Sequence, residues 1–299
     1  MLHRHLRWVL LAIPVSLAGQ EAAGTQLWRV AAATLPIPTA LATGGAGAFW
    51  NPAQLIDSAR VRLSIDGIQT PATVGATGVL ATATVRIDRA GRVGLVYGHM
   101  GLGGLVRTSY SPDEDEGSIP YYTEALAGVW SGTFRSTTVG AALGYHEVRL
   151  DQVVRNRITF DVGASQRIND VLRVAAATHF FSHFQTNHPA QDLYGAVDFR
   201  FFRGPLWDGG RVANLRARYG VTLGHGFGAD HQLGAGIDFG DPFSFDLLVA
   251  RDGGYSDGGW RGVAGVRVTI GRYHITFARD GGTNGVGSAF RVGLEANLP

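Results

Sequence analysis

Period-two alternation of apolar and polar residues recurs down almost the whole of this chain, and it restricts the backbone to strands with one apolar and one wet face. In residues 157–167, Ile158, Phe160, Val162 and Ala164 fall on one side, while Arg157, Thr159, Asp161, Ser165 and Arg167 fall on the other. Residues 211–223 repeat the pattern, with Leu215, Ala217, Tyr219, Val221 and Leu223 opposite Asn214, Arg216, Arg218 and Thr222. So do residues 290–298, with Phe290, Val292, Leu294, Ala296 and Leu298 opposite Arg291, Glu295 and Asn297. Comparable patterns cover 59–68, 76–88, 92–107, 120–131, 137–150, 171–184, 192–203, 231–239, 243–251, 260–270 and 272–280. The total is about fourteen strands, an even number as bacterial membrane barrels use. Composition agrees, since 43 glycines, 2 methionines and 17% charged residues suit strands and turns better than packed helices. The absence of cysteine excludes disulfides and thiolate metal sites.

Alternation alone does not separate a membrane barrel from a soluble β-sandwich, because the apolar face can meet lipid or a second sheet. The polar face carries Arg62, Arg86, Arg157, Arg173, Arg200, Arg216, Arg218, Arg267 and Arg291, with Asp66, Asp161, Asp198, Asp238, Asp246 and Glu295 available as partners. A water-filled or plugged lumen accommodates these charges, and so would a solvated outer face. The connections favour the barrel. Those after even-numbered strands are mostly tight, at 88–91, 132–136, 169–170, 240–242 and 271, and only 203–210 is long. Those after odd-numbered strands include 108–119, 185–191, 251–259 and 280–287, which are longer and rich in Gly, Asp and Asn. Short periplasmic turns and longer outer loops are the barrel arrangement, with both chain ends in the periplasm. Phe239, Phe243 and Tyr273 stand beside tight turns, where an interfacial aromatic belt belongs. The expected fold is therefore all-β, a closed antiparallel transmembrane β-barrel of about 14 strands.

The first residues read as an export signal. His3, Arg4, His5 and Arg7 make a basic start, Trp8 to Leu17 an apolar core, and Ser16-Leu17-Ala18 a small-residue cleavage site. The alternative is a retained anchor, although the apolar run is shorter than the ~20 residues that span a bilayer. The expected division is a signal peptide at 1–18, a periplasmic or lumenal plug (hatch) segment at 19–58, and the barrel at 59–299.

Residues before the first strand do not alternate. Thr39 to Leu55 reads TALATGGAGAFWNPAQL, a run of small residues followed by the box Phe49-Trp50-Asn51-Pro52-Ala53. This segment resembles the outer-membrane transport superfamily of FadL-like long-chain fatty-acid transporters and the shorter PorV/PorQ proteins. The resemblance implies a plug that folds into the lumen, with Asn51, Pro52 and Ala53 within it and Phe49 and Trp50 packing it against the wall. It also implies that solutes leave sideways through a gap in that wall. Pro52 removes a donor and stiffens a turn, and Asn51 can satisfy its own backbone, which suits a compact non-strand segment. A simple turn leading into the first strand is the alternative. The chain departs from the fatty-acid transporters in having little room for their long outer loops, which draws it toward PorV/PorQ. It also ends Asn297-Leu298-Pro299, whereas such barrels usually end in an aromatic residue.

Signals for catalysis are few. His179 and His183 share a strand face, but strand rise puts them ~13 Å apart, too far for one metal, and His188 follows beyond. The acidic run Asp113-Glu114-Asp115-Glu116 lacks the glycine and spacing of a known calcium loop and reads as a solvated outer loop. No Gly-x-Ser-x-Gly elbow occurs. A barrel enzyme assembling Ser, His and Asp from separate strands is the remaining catalytic alternative. The net charge of +2 argues against nucleic acid. The reading is a non-enzymatic outer-membrane transporter or channel without cofactor or metal. It meets outer-membrane lipid and a small hydrophobic or amphipathic solute, and its lumen is lined by the arginines above together with Asp161. The rival is a docking platform for secreted or surface proteins.

Overall fold

The computed structural model describes residues 27–55, 59–88, 90–108, 115–182, 191–208, 210–224, 228–240, 242–251, 259–282 and 288–299. The signal reading at 1–18, the histidines at 183 and 188, and the acidic pair at 113 and 114 lie outside these residues.

The chain opens with short helical pieces: α1 (Leu27–Ala33), a 3-10 turn at Thr39–Leu41, α2 (Gly44–Trp50) and a second 3-10 turn at Pro52–Gln54. Sixteen strands follow. They are β1 (Val61–Gln69), β2 (Ala76–Ile87), β3 (Gly91–Leu102), β4 (Val106–Thr108), β5 (Asp115–Ser118) and β6 (Tyr121–Phe134). Next come β7 (Thr137–Leu150), β8 (Val153–Arg167), β9 (Leu172–His179), β10 (Asp192–Pro205) and β11 (Val212–Gly224). The last are β12 (Ala229–Asp238), β13 (Phe243–Arg251), β14 (Trp260–Ile270), β15 (Tyr273–Asp280) and β16 (Ala289–Leu298). Strands β4 and β5 pair only with each other, and the other fourteen form one closed barrel of consecutive neighbours. Closure is antiparallel between β1 and β16, in unbroken register from Val61↔Leu298 to Gln69↔Phe290.

Alternation sets the two faces. On the outside, Ile65, Leu95, Leu143, Leu233 and Leu247 are each at least half exposed (51, 61, 63, 56 and 59%), a distribution suited to lipid rather than to water. On the inside, Arg62, Asp66, Thr84, Asp161, Asp198 and Arg291 are buried. No helix among the described residues is long and apolar enough to cross a membrane.

Three strands differ most from the sequence expectation. The strand expected at 92–107 stops at Leu102, and Val106–Thr108 pairs instead with β5. The strand expected at 157–167 begins instead at Val153, because β7 and β8 close in a tight turn at Asp151 and Gln152, with Asp151 in the left-handed region at φ 55°. The strand expected at 171–184 stops at His179. There β8 and β9 hold register from Arg167↔Arg173 to Gly163↔Ala177. Continuing that register would set Phe180 opposite Phe160, yet an isolated bridge places Phe181 there. One residue has been inserted, a β-bulge, and Phe180 adopts φ 52°. Beyond the bridge, no described strand pairs with Val153–Thr159 on this side, while β7 pairs with all of it on the other.

If the outer face lies in lipid, Leu247→Arg in the middle of β13 should lower stability in vesicles by about 2–4 kcal/mol, the cost of a midplane arginine on a barrel wall. Urea unfolding from lipid vesicles measures it. An unchanged midpoint and slope would remove lipid from that face.

Candidate functional site

Residues 27–55 touch inward-facing side chains around most of the circumference, which places them inside the barrel. Trp28 Nε1 donates to Thr123 Oγ1 of β6 at 2.9 Å and lies 3.1 Å from His146 Nε2 of β7. Arg29 stands 3.6 Å from Asp192 of β10 and 4.0 Å from Asp230 of β12. Gln232 of β12 accepts from the Thr39 backbone at 3.3 Å. On the far side, Arg261 of β14 donates to the Ala33 carbonyl at 2.7 Å, Arg267 to Thr43 Oγ1 at 3.0 Å, and Arg291 of β16 to the Ala31 carbonyl at 3.3 Å.

The small-residue run has a steric origin. The sequence of α2, GGAGAFW, is a poor helix by propensity and exists through packing. A Cβ on Gly45 would fall 1.8 Å from Ser64 Oγ of the wall, and one on Gly47 would fall 2.5 Å from the Ala42 carbonyl. The Asn-Pro-Ala box ties the segment to itself. Asn51 Nδ2 donates to the Ala40 carbonyl at 2.8 Å, Asn51 Oδ1 accepts from the Ala53 backbone at 3.0 Å, and Gln54 Nε2 reaches the same Ala40 carbonyl at 2.8 Å. Pro52 opens the second 3-10 turn, where its missing N–H costs nothing. The box rests on Gly140 and Gly163, which face each other across β7 and β8. A Cβ at Gly140 would sit 2.4 Å from the Pro52 carbonyl carbon, and one at Gly163 would sit 2.0 Å from Asn51 Oδ1.

Above this seat the lumen is aromatic. Phe49 lies 4.7 Å from Trp28 and 4.8 Å from Trp50, centroid to centroid, and both Phe49 and Trp50 lie 5.0 Å from His179. Tyr194 closes the group 6.1 Å from Trp50. Phe180, re-aimed inward by the bulge, stacks on His146 at 4.2 Å with 9° between the planes and is only 3% exposed. Its backbone N–H donates to Asp161 Oδ1 at 2.6 Å. The Asp161–Phe180 bond and the ring stack offset the roughly 1–2 kcal/mol that a left-handed conformation costs a residue with a Cβ. His179 Nδ1 lies 3.3 Å from Asp161 Oδ2 without the alignment of a hydrogen bond, and both its ring nitrogens, like Trp50 Nε1, are buried without a partner. A void of about 10 Å³ adjoins the group and is lined by Phe49, Thr159, Asp161, His179 and Phe180 together with the outward Tyr145.

No protein-family model matches this sequence, and no curated protein does. Solved structures do match. The Ralstonia pickettii toluene transporter TbuX is similar at a TM-score of 0.52 and 13% identity, over 87% of this chain and 95% of that one. The CymD monoaromatic hydrocarbon channel is similar at a TM-score of 0.55 and 12% identity, over 91% of this chain and 96% of that one. The fold is that of these two barrels. Both neighbours are described as a transporter or channel rather than as enzymes.

In this barrel the paired inward arginines and carboxylates of the described residues fall mostly under β10 to β16 and β1. Arg62 stands 3.3 Å from Glu295 and donates to Asn297 at 3.2 Å, Arg291 donates to Asp66 at 3.2 Å, and Arg216 donates to Asp198 at 2.6 Å. Arg218 is shared between Asp246, a short contact, and Asp198 at 3.6 Å. A cavity of about 60 Å³ remains between residues 35–46 and this wall, lined by Asp66, Arg267, His274, Arg291 and Glu295 among others. Arg173 of β9 bonds Ser165 at 2.9 Å and also Gln54 of the inner segment. Arg157 and Arg200 are half-buried on the inward register of β8 and β10, and Arg157 Nη1 is buried without a hydrogen bond. Arg86 is different, since it lies exposed at the end of β2 and lines no enclosed space. Asp238 stands at the end of β12, and its carboxylate caps the turn at Gly240 at 2.8 Å.

Sequence reasoning named Phe49, Trp50, Asn51, Pro52 and Ala53 but not Trp28, Thr123, His146, Phe180 or Tyr194. The inward glycines Gly140 and Gly163 were the available signal, because a small residue on a strand marks close approach of another backbone. Gly163→Val should overpack the seat of the box by about 1–3 kcal/mol and speed hydrogen exchange at the Ala53 amide. Unchanged protection of Ala53 would show that this seat does not hold the box.

Proposed function

We propose that this protein is an outer-membrane uptake channel for small hydrophobic or amphipathic solutes, single-ring aromatics above all, with residues 27–55 as its plug. The observation that carries the reading is the inner segment itself, which is buried and bonded to strands on both sides of the lumen, so that a straight path through the barrel is obstructed. Phe49, Trp50, Asn51, Pro52 and Ala53 form the compact centre of that obstruction, and Arg261 and Arg267 of β14 with Arg291 of β16 hold its polar flank. A solute stopped by the plug needs another way out. The ladder between β8 and β9, which among the described residues ends at the Phe160–Phe181 bridge, supports a sideways exit, because it stands beside the aromatic group and the outward Tyr145 is among the residues that line the adjoining void. Aromatic walls favour flat apolar solutes through stacking and edge contacts worth about 0.5–1.5 kcal/mol per pair. The names of the two structural neighbours, a toluene transporter and a monoaromatic channel, agree with that class.

Purified barrel in liposomes should speed toluene entry over empty liposomes, and deletion of residues 27–55 should raise ionic conductance in planar bilayers. Toluene entry no faster than in empty liposomes would end the transport reading. Unchanged conductance would end the plug reading, and co-purification of a secreted protein without toluene entry would favour a docking platform.

A further inference from the structure

Phe180 is out of place in two independent ways. By the register of β9 its side chain belongs on the outer face, opposite Phe160, and the inserted residue turns it into the lumen instead. Its backbone carries φ 52°, a conformation that a bulky L-residue holds only when its surroundings compensate. The compensation is a ring-shaped cradle. The phenyl centroid lies 4.2 Å from His146 and 3.8 Å from His179, with Trp28 at 5.7 Å and Phe49 at 5.8 Å, the last nearly edge-on at 85°. The cradle comes from four separate pieces of chain: α1, α2, β7 and β9. It borders the Phe160–Phe181 bridge, where the pairing of β8 with β9 ends among the described residues, and the adjoining void is lined by Phe180 itself. A strained side chain thus fills, from the wall, a benzene-sized site built by the plug and two strands.

We propose that the cradle of Trp28, Phe49, His146 and His179 is a binding subsite for a single-ring aromatic, and that Phe180 occupies it as a stand-in when no solute is bound. This deepens the transport reading and rests on it for the class of solute. Stacking on the ring faces of the cradle is available to any flat apolar ring, and an incoming ring gains the contacts that Phe180 gives up. Displaced, Phe180 is freed from its left-handed backbone and returns toward the outer face beside Phe160, so occupancy of the cradle and the register of β8 against β9 are linked. Phe180 is then a specificity-determining residue, since a solute competes with its ring for the same space.

Bromobenzene is the probe, because its bromine can be located crystallographically. Crystals of the wild type and of Phe180→Ala soaked in bromobenzene should both show bromine between Trp28, Phe49, His146 and His179, with the Phe180 ring displaced in the wild type. In detergent, Phe180→Ala should bind bromobenzene about tenfold more tightly than the wild type, a difference of 1.4 kcal/mol, because no ring must be expelled. Heat-modifiability on a gel checks that the variant is folded, and if it is not, the wild-type crystals decide alone. Bromine found only elsewhere in the barrel, or equal or weaker binding by the folded variant, overturns the proposal. Toluene entry into liposomes is scored separately. Entry with an empty cradle defeats the subsite and leaves transport standing, whereas an occupied cradle without entry defeats transport and leaves the subsite.

Discussion

Every other feature of this molecule depends on the closure of β1 onto β16. A strand in hydrocarbon must give each backbone N–H and C=O a partner, and an open sheet edge would leave a row of them unmet at several kcal/mol apiece. The register from Val61↔Leu298 to Gln69↔Phe290 removes that edge and defines an inside and an outside at once. From then on, alternation assigns each side chain to the outer or the inner face. The polar inward face becomes tolerable because it is enclosed, and the enclosed space acquires a fixed size that something has to fill.

The filling is asymmetric, and the asymmetry is physical. Under β11 to β16 and β1, the wall presents guanidinium and carboxylate groups that pair with one another and with backbone carbonyls of the inner segment, as Arg291 does with Asp66 and Ala31. Under β3 and β6 to β10, the wall presents small residues and rings, and the segment answers with Trp28, Phe49 and Trp50. A buried ion pair needs good geometry to offset its desolvation, so the charged flank fixes the orientation of the segment more than it adds stability. The aromatic flank supplies apolar contact area and is the only side where a flat apolar molecule would gain by binding.

Much of the barrel could be read in the sequence because period two is a local property. A strand such as Phe290 to Leu298 displays both of its faces in nine consecutive letters, and turn residues mark where it stops. The segment before the barrel was legible as an exception, since TALATGGAGAFWNPAQL has neither strand nor strong helix character. Its small residues acquire their reason only beside Ser64, Gly140 and Gly163, which are far away in the chain. Arg86 and Asp238 show the opposite limit. Both lie on the inward register of their strands, but strand ends are solvated, and a period says nothing about depth.

The sequence by itself determined the fold class, the faces of the strands and the separate character of residues before the first strand, because each follows from neighbours along the chain. The tertiary structure alone decided three things: which arginine meets which carboxylate, that Gly140 and Gly163 form one seat, and that Phe180 points inward. The first two require strand register, which long-range pairing sets. The third requires a single inserted residue, held in a left-handed conformation by Asp161 and by rings from distant strands and helices. Alternation predicts that side chain on the wrong face, since a one-residue slip reverses a strand and leaves no mark in composition.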